Sequence, residues 1–254
     1  MLKKRLIGVV TVKDGWAVQS FGYRRYLPLG KPELLVQNLD RWGADEILVQ
    51  CIDRTKAGLG PDLDVLGRIS KLGIATPLIY AGGISHRADA VKVISHGADR
   101  IMLDAMLMDA PHSVEEIARD LGTQAVIAHL PTRMTSVGLV ALDYRNRTER
   151  ALDQWLKTLS IDWISEVMVS DWQNEGTPGS FDERLLDITR YIKKPLLCFG
   201  GISEAAQIQR VLAHPQVVAA GVGNFLNYRE HAVQTLKHQL GSNTLRAPHY
   251  EITV

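Results

Sequence analysis

Two glycine pairs stand where an apolar run gives way to a polar segment, and corners of this kind can bind an anion. Gly82-Gly83 follows the run 77–81, and Gly200-Gly201 follows the run 195–199. Backbone N–H groups at a strand-to-helix corner, together with the N-terminus of the next helix, can hold a phosphate. One such pair is also explained by a tight turn alone. Its repetition in both halves of the chain favours a ligand with two phosphates.

Titratable side chains fall at or just past the ends of predicted strands, where a general acid or base could act. They are Asp53, Asp104, His129, Asp171 and Glu175. His129 could serve as a general base because an ordinary histidine has a pKa of about 6.5. A lone histidine beside a buried strand is, however, more often a hydrogen-bonded core residue. The candidate catalytic residues are Asp53, Asp104, His129 and Asp171.

Strand and helix patterns alternate along the chain that carries these residues. Short apolar runs predict strands at 5–12, 46–52, 78–81, 100–103, 124–130, 166–170, 196–199 and 217–222. Helical patterns occur at 32–42, 61–71, 88–94, 149–159, 182–191 and 205–213. The segment 13–31 is interpreted as a strand end followed by a long polar and aromatic loop, and 139–144 as a candidate hairpin.

Eight strands that alternate with helices predict a (β/α)8 barrel, whose loops after the strands form the working face. The segments 77–85 and 195–203 are similar and lie 118 residues apart. We therefore predict a single barrel domain over 1–254, built from half-barrels at about 1–122 and 123–254. An open doubly wound sheet is the alternative, but no Gly-x-Gly-x-x-Gly fingerprint follows any strand.

The loops after the last strands of such barrels often form a phosphate site. Glu175-Gly176-Thr177 and Gly221-Val222-Gly223-Asn224 therefore add to the second glycine corner. The candidate phosphate-binding residues are Gly82, Gly83, Gly176, Thr177, Gly200, Gly201, Gly223 and Asn224.

The overall composition is that of a soluble globular protein, with 46% hydrophobic and 22% charged residues. A net charge of +1 gives no support to a nucleic-acid or membrane partner. No apolar run approaches the roughly 20 residues that span a bilayer, so we expect a cytoplasmic protein. Cys51 and Cys198 lie in apolar runs and are expected to be reduced and buried. The sequence indicates neither a cofactor nor a metal site.

Several segments together resemble the cyclase subunit of imidazole glycerol phosphate synthase. They are the half-barrel repeat, the opening segments 4–7 and 12–15, the corner Gly82-Gly83-Ile84, the segment 96–99, and Asn227-Tyr228-Arg229-Glu230. The resemblance covers nearly the whole chain. It implies a (β/α)8 barrel with two phosphate sites and a glutaminase partner that delivers ammonia through the barrel.

The sequence departs from that family where catalysis is expected. The resemblance implies one essential aspartate after the first strand and another after the fifth, but Thr11 and Pro131 occupy these positions. Neither side chain can exchange a proton at neutral pH as a carboxylate does. Gln173-Asn174-Glu175-Gly176-Thr177 replaces the family's Asp-Arg-Asp-Gly-Thr, and Asp104-Ala105 replaces its Asn-Thr beside a phosphate. A carboxylate there would repel an anion.

Charged residues at the other end of the barrel match the family better. The resemblance assigns an ammonia gate to Arg5, Glu46, Arg100 and Glu166, one residue from the start of every other strand, and partner docking to Asp99. A charged plug that stabilises the bottom of the barrel is the alternative explanation of this ring.

The departures make the chain more similar to cyclase-like paralogues of bacterial surface-polysaccharide pathways, in which ammonia is used to make amidino sugars. The loop 21–26, with three aromatic residues and two arginines, would suit a phosphorylated or nucleotide-linked sugar, or it could simply cover the barrel. Three functions stay open: an ammonia-using synthase subunit paired with a glutaminase, the histidine-pathway cyclase itself, and an inactive barrel that binds a glutaminase.

Overall fold

The computed structural model describes residues 3–159, 161–228, 230–241 and 245–246, so Arg229 of the 227–230 motif lies outside the described residues. Twelve strands form one sheet in this part of the chain. In chain order they are β1 (Arg5–Lys13), β2 (Trp16–Phe21), β3 (Arg25–Gly30), β4 (Glu46–Cys51), β5 (Leu78–Ala81), β6 (Arg100–Leu103), β7 (Val126–Thr135), β8 (Gly138–Asp143), β9 (Thr148–Ala151), β10 (Glu166–Asp171), β11 (Leu196–Phe199) and β12 (Val217–Val222).

Eight of these strands close into a parallel barrel in the order β1, β4, β5, β6, β7, β10, β11 and β12. The barrel closes because β12 pairs in parallel with β1, with Ala219 opposite Arg5 and Val222 opposite Gly8. This closure confirms the (β/α)8 prediction and excludes the open doubly wound sheet. The boundary between half-barrels near residue 122 stays a prediction.

The other four strands are antiparallel extensions at the carboxyl end of the barrel. The predicted loop 13–31 in fact contains β2 and β3, which pair as a hairpin. A turn in which Asp14 and Gly15 both have positive φ, 51° and 76°, joins β2 to the antiparallel end of β1. Asp-Gly is a strong hairpin signal because it tolerates these angles. The predicted helix 149–159 was also partly wrong, since 148–151 pairs with β8 as a strand before a short helix begins.

Nine α-helices lie in the described part of the chain: α1 (Pro32–Arg41), α2 (Arg54–Ala57), α3 (Leu63–Ser70), α4 (Arg87–Ser95), α5 (Ala105–Asp109), α6 (Pro111–Leu121), α7 (Leu152–Leu156), α8 (Ala205–Ala213) and α9 (Ala232–Leu240). Pro32 begins α1 at a position where its missing N–H costs nothing. Asp62 caps α3 by accepting the Val65 N–H. The predicted helix 182–191 is a 3-10 helix, Glu183–Arg190, and α2, α5, α6 and α9 were not predicted.

Apolar side chains pack both outside and inside the barrel. The inner cluster consists of Ile7, Val9, Leu48, Ile79, Ala81, Met102, Ile127, Met168, Leu197, Phe199 and Ala219. Cys51 and Cys198 are free and buried, and burial raises the pKa of both thiols to about 12. Within the described ranges, no helix is both long enough and apolar enough to cross a membrane.

Candidate active site

A cavity of about 730 Å³ opens at the carboxyl ends of the barrel strands. Residues that follow β4, β6 and β10, residues of β7 and the tip of the β2–β3 hairpin line it, including Tyr23, Asp53, Asp104, His129, Pro131 and Trp172. Its size is typical of small-molecule sites, which run from about 300 to 1,000 Å³. Three of the four predicted catalytic residues therefore share one cavity.

Neutral hydrogen-bonding groups surround the position where the resemblance implies the first aspartate. Gln50 Nε2 donates to Thr11 Oγ1 at 2.8 Å and lies 3.4 Å from the Tyr23 hydroxyl. Burial raises the pKa of Tyr23 well above its ordinary value, so its hydroxyl stays protonated at neutral pH. Thr11, Gln50 and Tyr23 can orient a ligand, but none of them can act as a base at neutral pH.

His129 is the buried titratable group best suited to accept a proton. Its Nε2 lies 2.8 Å from Ser170 Oγ, which fixes the ring. Burial lowers the pKa of His129, although the negative charge of Asp104 acts in the opposite direction. The imidazole is therefore neutral at neutral pH and can take up a proton from a ligand.

Asp104 and Asp53 supply hydrogen-bond acceptors to the cavity. The Tyr144 hydroxyl donates to Asp104 Oδ2 at 2.8 Å, and the Ala105 N–H donates to Oδ1. Asp53 Oδ2 accepts the Asp14 N–H at 2.9 Å, whereas its buried Oδ1 has no hydrogen-bond partner among the described residues. A buried carboxylate oxygen without a partner can bind a ligand that donates a hydrogen bond.

Asp171 and Glu175 are not among the residues that line this cavity, and the catalytic role of Asp171 stays a prediction. Asp171 accepts the Asp182 N–H at 2.9 Å and the side-chain amide of Asn174 at 2.8 Å. Glu175 accepts the Ser20 hydroxyl at 2.9 Å and thereby holds the β2–β3 hairpin. Burial raises the pKa of both carboxyl groups. Their contacts position loops.

The two glycine corners have the same backbone shape. Gly83 and Gly201 have φ values of 73° and 76°, and a Cβ on Gly82 or Gly200 would lie 2.1 or 2.4 Å from a backbone oxygen. Only glycine fits such positions. The corners differ in their hydrogen bonds, because Thr55 Oγ1 accepts the Gly83 N–H at 2.9 Å. In the described part of the chain, the Gly201 N–H donates a hydrogen bond to no other group.

The side chain of Asn224, beside the second corner, is already engaged. Its Nδ2 donates to the Ser20 backbone oxygen at 2.6 Å, and its Oδ1 accepts the Ser20 N–H at 3.2 Å. Gly176 lies against the same hairpin, since a Cβ there would come within 2.1 Å of the Ser20 oxygen. Gly201, Gly223, Thr177 and Ser203 line a small cleft at this corner.

We predict that, of the two corners, phosphate or sulfate occupies the second one, formed by Gly176, Gly201, Gly223 and Asn224. The Gly201 N–H is available there to bind an anion. At the first corner, the Gly83 N–H already donates a hydrogen bond to Thr55, and the Asp104 carboxylate adds a negative charge. Crystals soaked in sulfate would show the anion directly, and crystals grown without it serve as the control. Sulfate beside Gly83 alone, or at neither corner at saturation, would contradict this expectation.

Four charged side chains form a closed ring at the amino-terminal mouth of the barrel. Arg5 contacts Glu46 at 3.0 Å and Glu166 at 2.6 Å. Arg100 contacts the same two carboxylates at 3.2 and 2.7 Å. Burial raises the pKa of Glu46, while both arginines act to lower it. Asp99 is exposed on the same face, and its carboxylate accepts the Leu78 N–H at 2.8 Å.

The ring and the cavity lie at opposite ends of one barrel. Ile7, Leu48, Met102 and other members of the inner cluster separate them. A neutral small molecule could cross such a layer with less penalty than an ion, because no buried charge would be left without a partner. The role of the ring as an ammonia gate stays a prediction, and so does the role of Asp99 in partner docking.

Comparison with known proteins places this barrel in a family. The profile described as "Histidine biosynthesis protein" matches residues 5–232. The chain belongs to the histidine biosynthesis protein family. Its match to that family includes every barrel strand, the ring and both glycine corners.

Relatives within the histidine biosynthesis protein family are similar along nearly their whole length. The imidazole glycerol phosphate synthase subunit HisF of Bacillus cereus (strain G9842) is 26% identical over 244 residues, which are 94% of this chain and 96% of that protein. The subunit of the same name from Bacillus pumilus (strain SAFR-032) is 24% identical over 94% of this chain and 97% of its own length. That from Exiguobacterium sibiricum (strain DSM 17290 / CCUG 55495 / CIP 109462 / JCM 13490 / 255-15) is 28% identical over 80% and 82%.

This member of the histidine biosynthesis protein family also has site residues that sequence patterns did not indicate. Tyr144, Gln50 and Trp172 line the cavity, and Thr55 and Ser170 bond to groups beside it. The β8–β9 excursion places Tyr144, and no local pattern marks it. Gln50 could have been found, because it is a polar residue inside an otherwise apolar strand.

Proposed function

We propose that the chain is the synthase-type barrel subunit of a glutamine amidotransferase, which combines ammonia from a glutaminase partner with a phosphorylated or nucleotide-linked sugar. The observation that carries this proposal is the charged ring at one mouth of a barrel whose other end holds the cavity. The names of the relatives support it, because each is called a subunit of a synthase.

His129 acts as the general base in this proposal. When ammonia adds to a carbonyl carbon of the sugar, the C–N bond forms while the π bond of the carbonyl breaks and its electron pair moves to oxygen. The nitrogen becomes positively charged and must lose a proton. Neutral His129 accepts that proton at Nδ1, which has no partner in the described ranges, while Nε2 stays beside Ser170. The Tyr23 hydroxyl and Asp104 orient the ligand.

The acceptor differs from the substrate of the histidine-pathway cyclase. Thr11 and Pro131 stand where the resemblance implies the two aspartates of that reaction. Gln50 Nε2 donates to Thr11 Oγ1, and Pro131 lines the cavity without an ionisable group. These features favour an amidino-sugar role in surface-polysaccharide biosynthesis over histidine biosynthesis.

Incorporation of ¹⁵N from ammonium into a panel of sugar phosphates and nucleotide sugars tests this function. The purified chain should label at least one of them, as detected by mass spectrometry, without a glutaminase if ammonium is abundant. Changing His129 to glutamine should lower the labelling rate about 10²–10⁴-fold, the usual contribution of a general base. Lys92→Ala, on an exposed face of α4, is the control that should keep the full rate.

Absence of labelling despite tight binding of a panel member would contradict the proposed function. That result would favour the inactive barrel, which binds a glutaminase and a ligand without reaction. An unchanged rate in the His129→Gln variant would remove His129 from the mechanism.

A further inference from the structure

The mouth of the main cavity is lined by basic side chains. Lys13, Arg24, Lys56 and Arg147 all contribute to its wall. Arg24, Lys56 and Arg147 are exposed and make no ion pair within the part of the chain that the structure describes. Lys13 Nζ lies 5.7 Å from the centre of the Tyr26 ring, and the charges of Lys13 and Arg147 both act against the rise that burial causes in the pKa of Tyr26. Such a cluster is suited to one phosphate or diphosphate.

Asp104 and Trp172, here called the floor of the same cavity, line it together with Asp53. The carboxylates of Asp53 and Asp104 make no ion pair within the described ranges. Among the residues that the structure describes, no group bonds to the buried acceptor Asp53 Oδ1 or to the buried donor Trp172 Nε1. Asp104 adds a carboxylate that accepts hydrogen bonds from the Tyr144 hydroxyl and the Ala105 N–H. A hydroxyl group can both donate and accept, so sugar hydroxyls satisfy both kinds of group.

The glycine corner beside this floor does not offer a phosphate site. Thr55 Oγ1 already accepts the Gly83 N–H at 2.9 Å. The Asp104 carboxylate lines the cavity next to Gly82, and its negative charge opposes a second anion there. The two ends of the cavity therefore attract chemically different parts of a ligand.

We propose that the cavity binds a sugar that carries one anionic group only, with this group at the basic mouth and the sugar hydroxyls at Asp53, Asp104 and Trp172. This inference rests on the proposed function and narrows its substrate class. A sugar whose second phosphate would lie at the Gly82-Gly83 corner is excluded. The single anionic group is a phosphate or the diphosphate of a nucleotide sugar, and the cavity of about 730 Å³ holds either one.

Calorimetric titration with three glucose derivatives tests this orientation. Glucose 1-phosphate should bind the wild-type protein, and glucose 1,6-bisphosphate should bind at least about tenfold more weakly because its second phosphate meets Asp104. Asp104→Asn keeps the side-chain cap of α5. We expect it to raise the affinity for the bisphosphate about tenfold and to change that for glucose 1-phosphate far less.

The mouth is tested with the double variant Lys56→Ala/Arg147→Ala. It should lower the affinity of the protein for all three derivatives by about tenfold or more, whereas Lys92→Ala should leave every affinity unchanged. UDP-glucose distinguishes the two sources of the anionic group: tighter binding than glucose 1-phosphate assigns the site to a nucleotide sugar, and weaker binding assigns it to a free sugar phosphate. Both results support the single-anion site.

Three outcomes would overturn the inference. They are tighter wild-type binding of the bisphosphate than of glucose 1-phosphate, full binding by the double variant, and no binding of any of the three compounds. All these titrations are made without ammonia. If ammonia is not incorporated, the binding results still test the single-anion site. If none of the compounds binds, that failure is distinguishable from a failure of ammonia incorporation.

Discussion

A bacterial strain that lacks its histidine-pathway cyclase is expected not to grow without histidine when it expresses this chain. The resemblance implies an aspartate at each of positions 11 and 131, where this chain has Thr11 and Pro131. Loss of a single acid or base group typically costs about 10²–10⁴ in rate, and here both are missing. The Thr11 hydroxyl is also engaged, because Gln50 Nε2 donates to it at 2.8 Å.

The same strain expressing the Bacillus pumilus relative is the positive control, and comparable amounts of both proteins must be verified in the cells. Full growth with this chain would show that some other pair of groups performs the cyclase reaction. His129 and Asp104 would then be the residues to replace first.

Opening the charged ring is expected to uncouple glutamine hydrolysis from the use of ammonia. In Glu46→Ala, both Arg5 and Arg100 keep Glu166 as a partner, so we expect the fold to survive with a loss of about 1–3 kcal/mol. Ammonia released by the glutaminase would leak to solvent at the opened mouth. The yield of aminated product per glutamine hydrolysed should fall severalfold, as measured by parallel assays of glutamate and product.

The matched control for this variant is Glu115→Ala, which breaks the exposed pair between Glu115 and Arg119 on α6. An exposed pair contributes only about 0–1 kcal/mol, and its loss should leave coupling intact. A ring that merely closes the bottom of the barrel predicts the reverse for Glu46→Ala: lower stability with an unchanged yield. That outcome would remove the main reason to assign ammonia transfer to this barrel.

The barrel could be predicted from sequence because its strands are short, continuous apolar runs. All eight appeared close to their observed bounds, since strands buried on both faces need no alternation. The excursions β2–β3 and β8–β9 were harder to identify, because their half-exposed strands mix polar and aromatic residues. Asp14-Gly15 was nevertheless a usable hairpin signal that the loop assignment overlooked.

Site residues at the ends of strands could be predicted from the sequence. Site residues placed by contacts between parts of the chain that are far apart in the sequence were harder to predict. Alternation along β10 points Met168 and Ser170 inward, so it could have assigned Asp171 to the outer face. No local pattern could show that Thr55 accepts the Gly83 N–H or that Tyr144 bonds to Asp104. These contacts join residues that only the closed barrel and its β8–β9 excursion bring together.

The amide of Asn224 connects two regions that ligands would occupy separately. Both of its polar atoms bond to the backbone of Ser20, in the hairpin whose tip carries Tyr23 into the main cavity. An anion at the second corner that binds this amide must therefore break its hydrogen bonds to Ser20 and so free part of the hairpin. By thermodynamic reciprocity, a ligand packed against Tyr23 must change the affinity of that corner for the anion by the same factor. The amide of Asn224 would then couple ligand binding in the two halves of the barrel, alongside the contacts of Glu175 with the same hairpin.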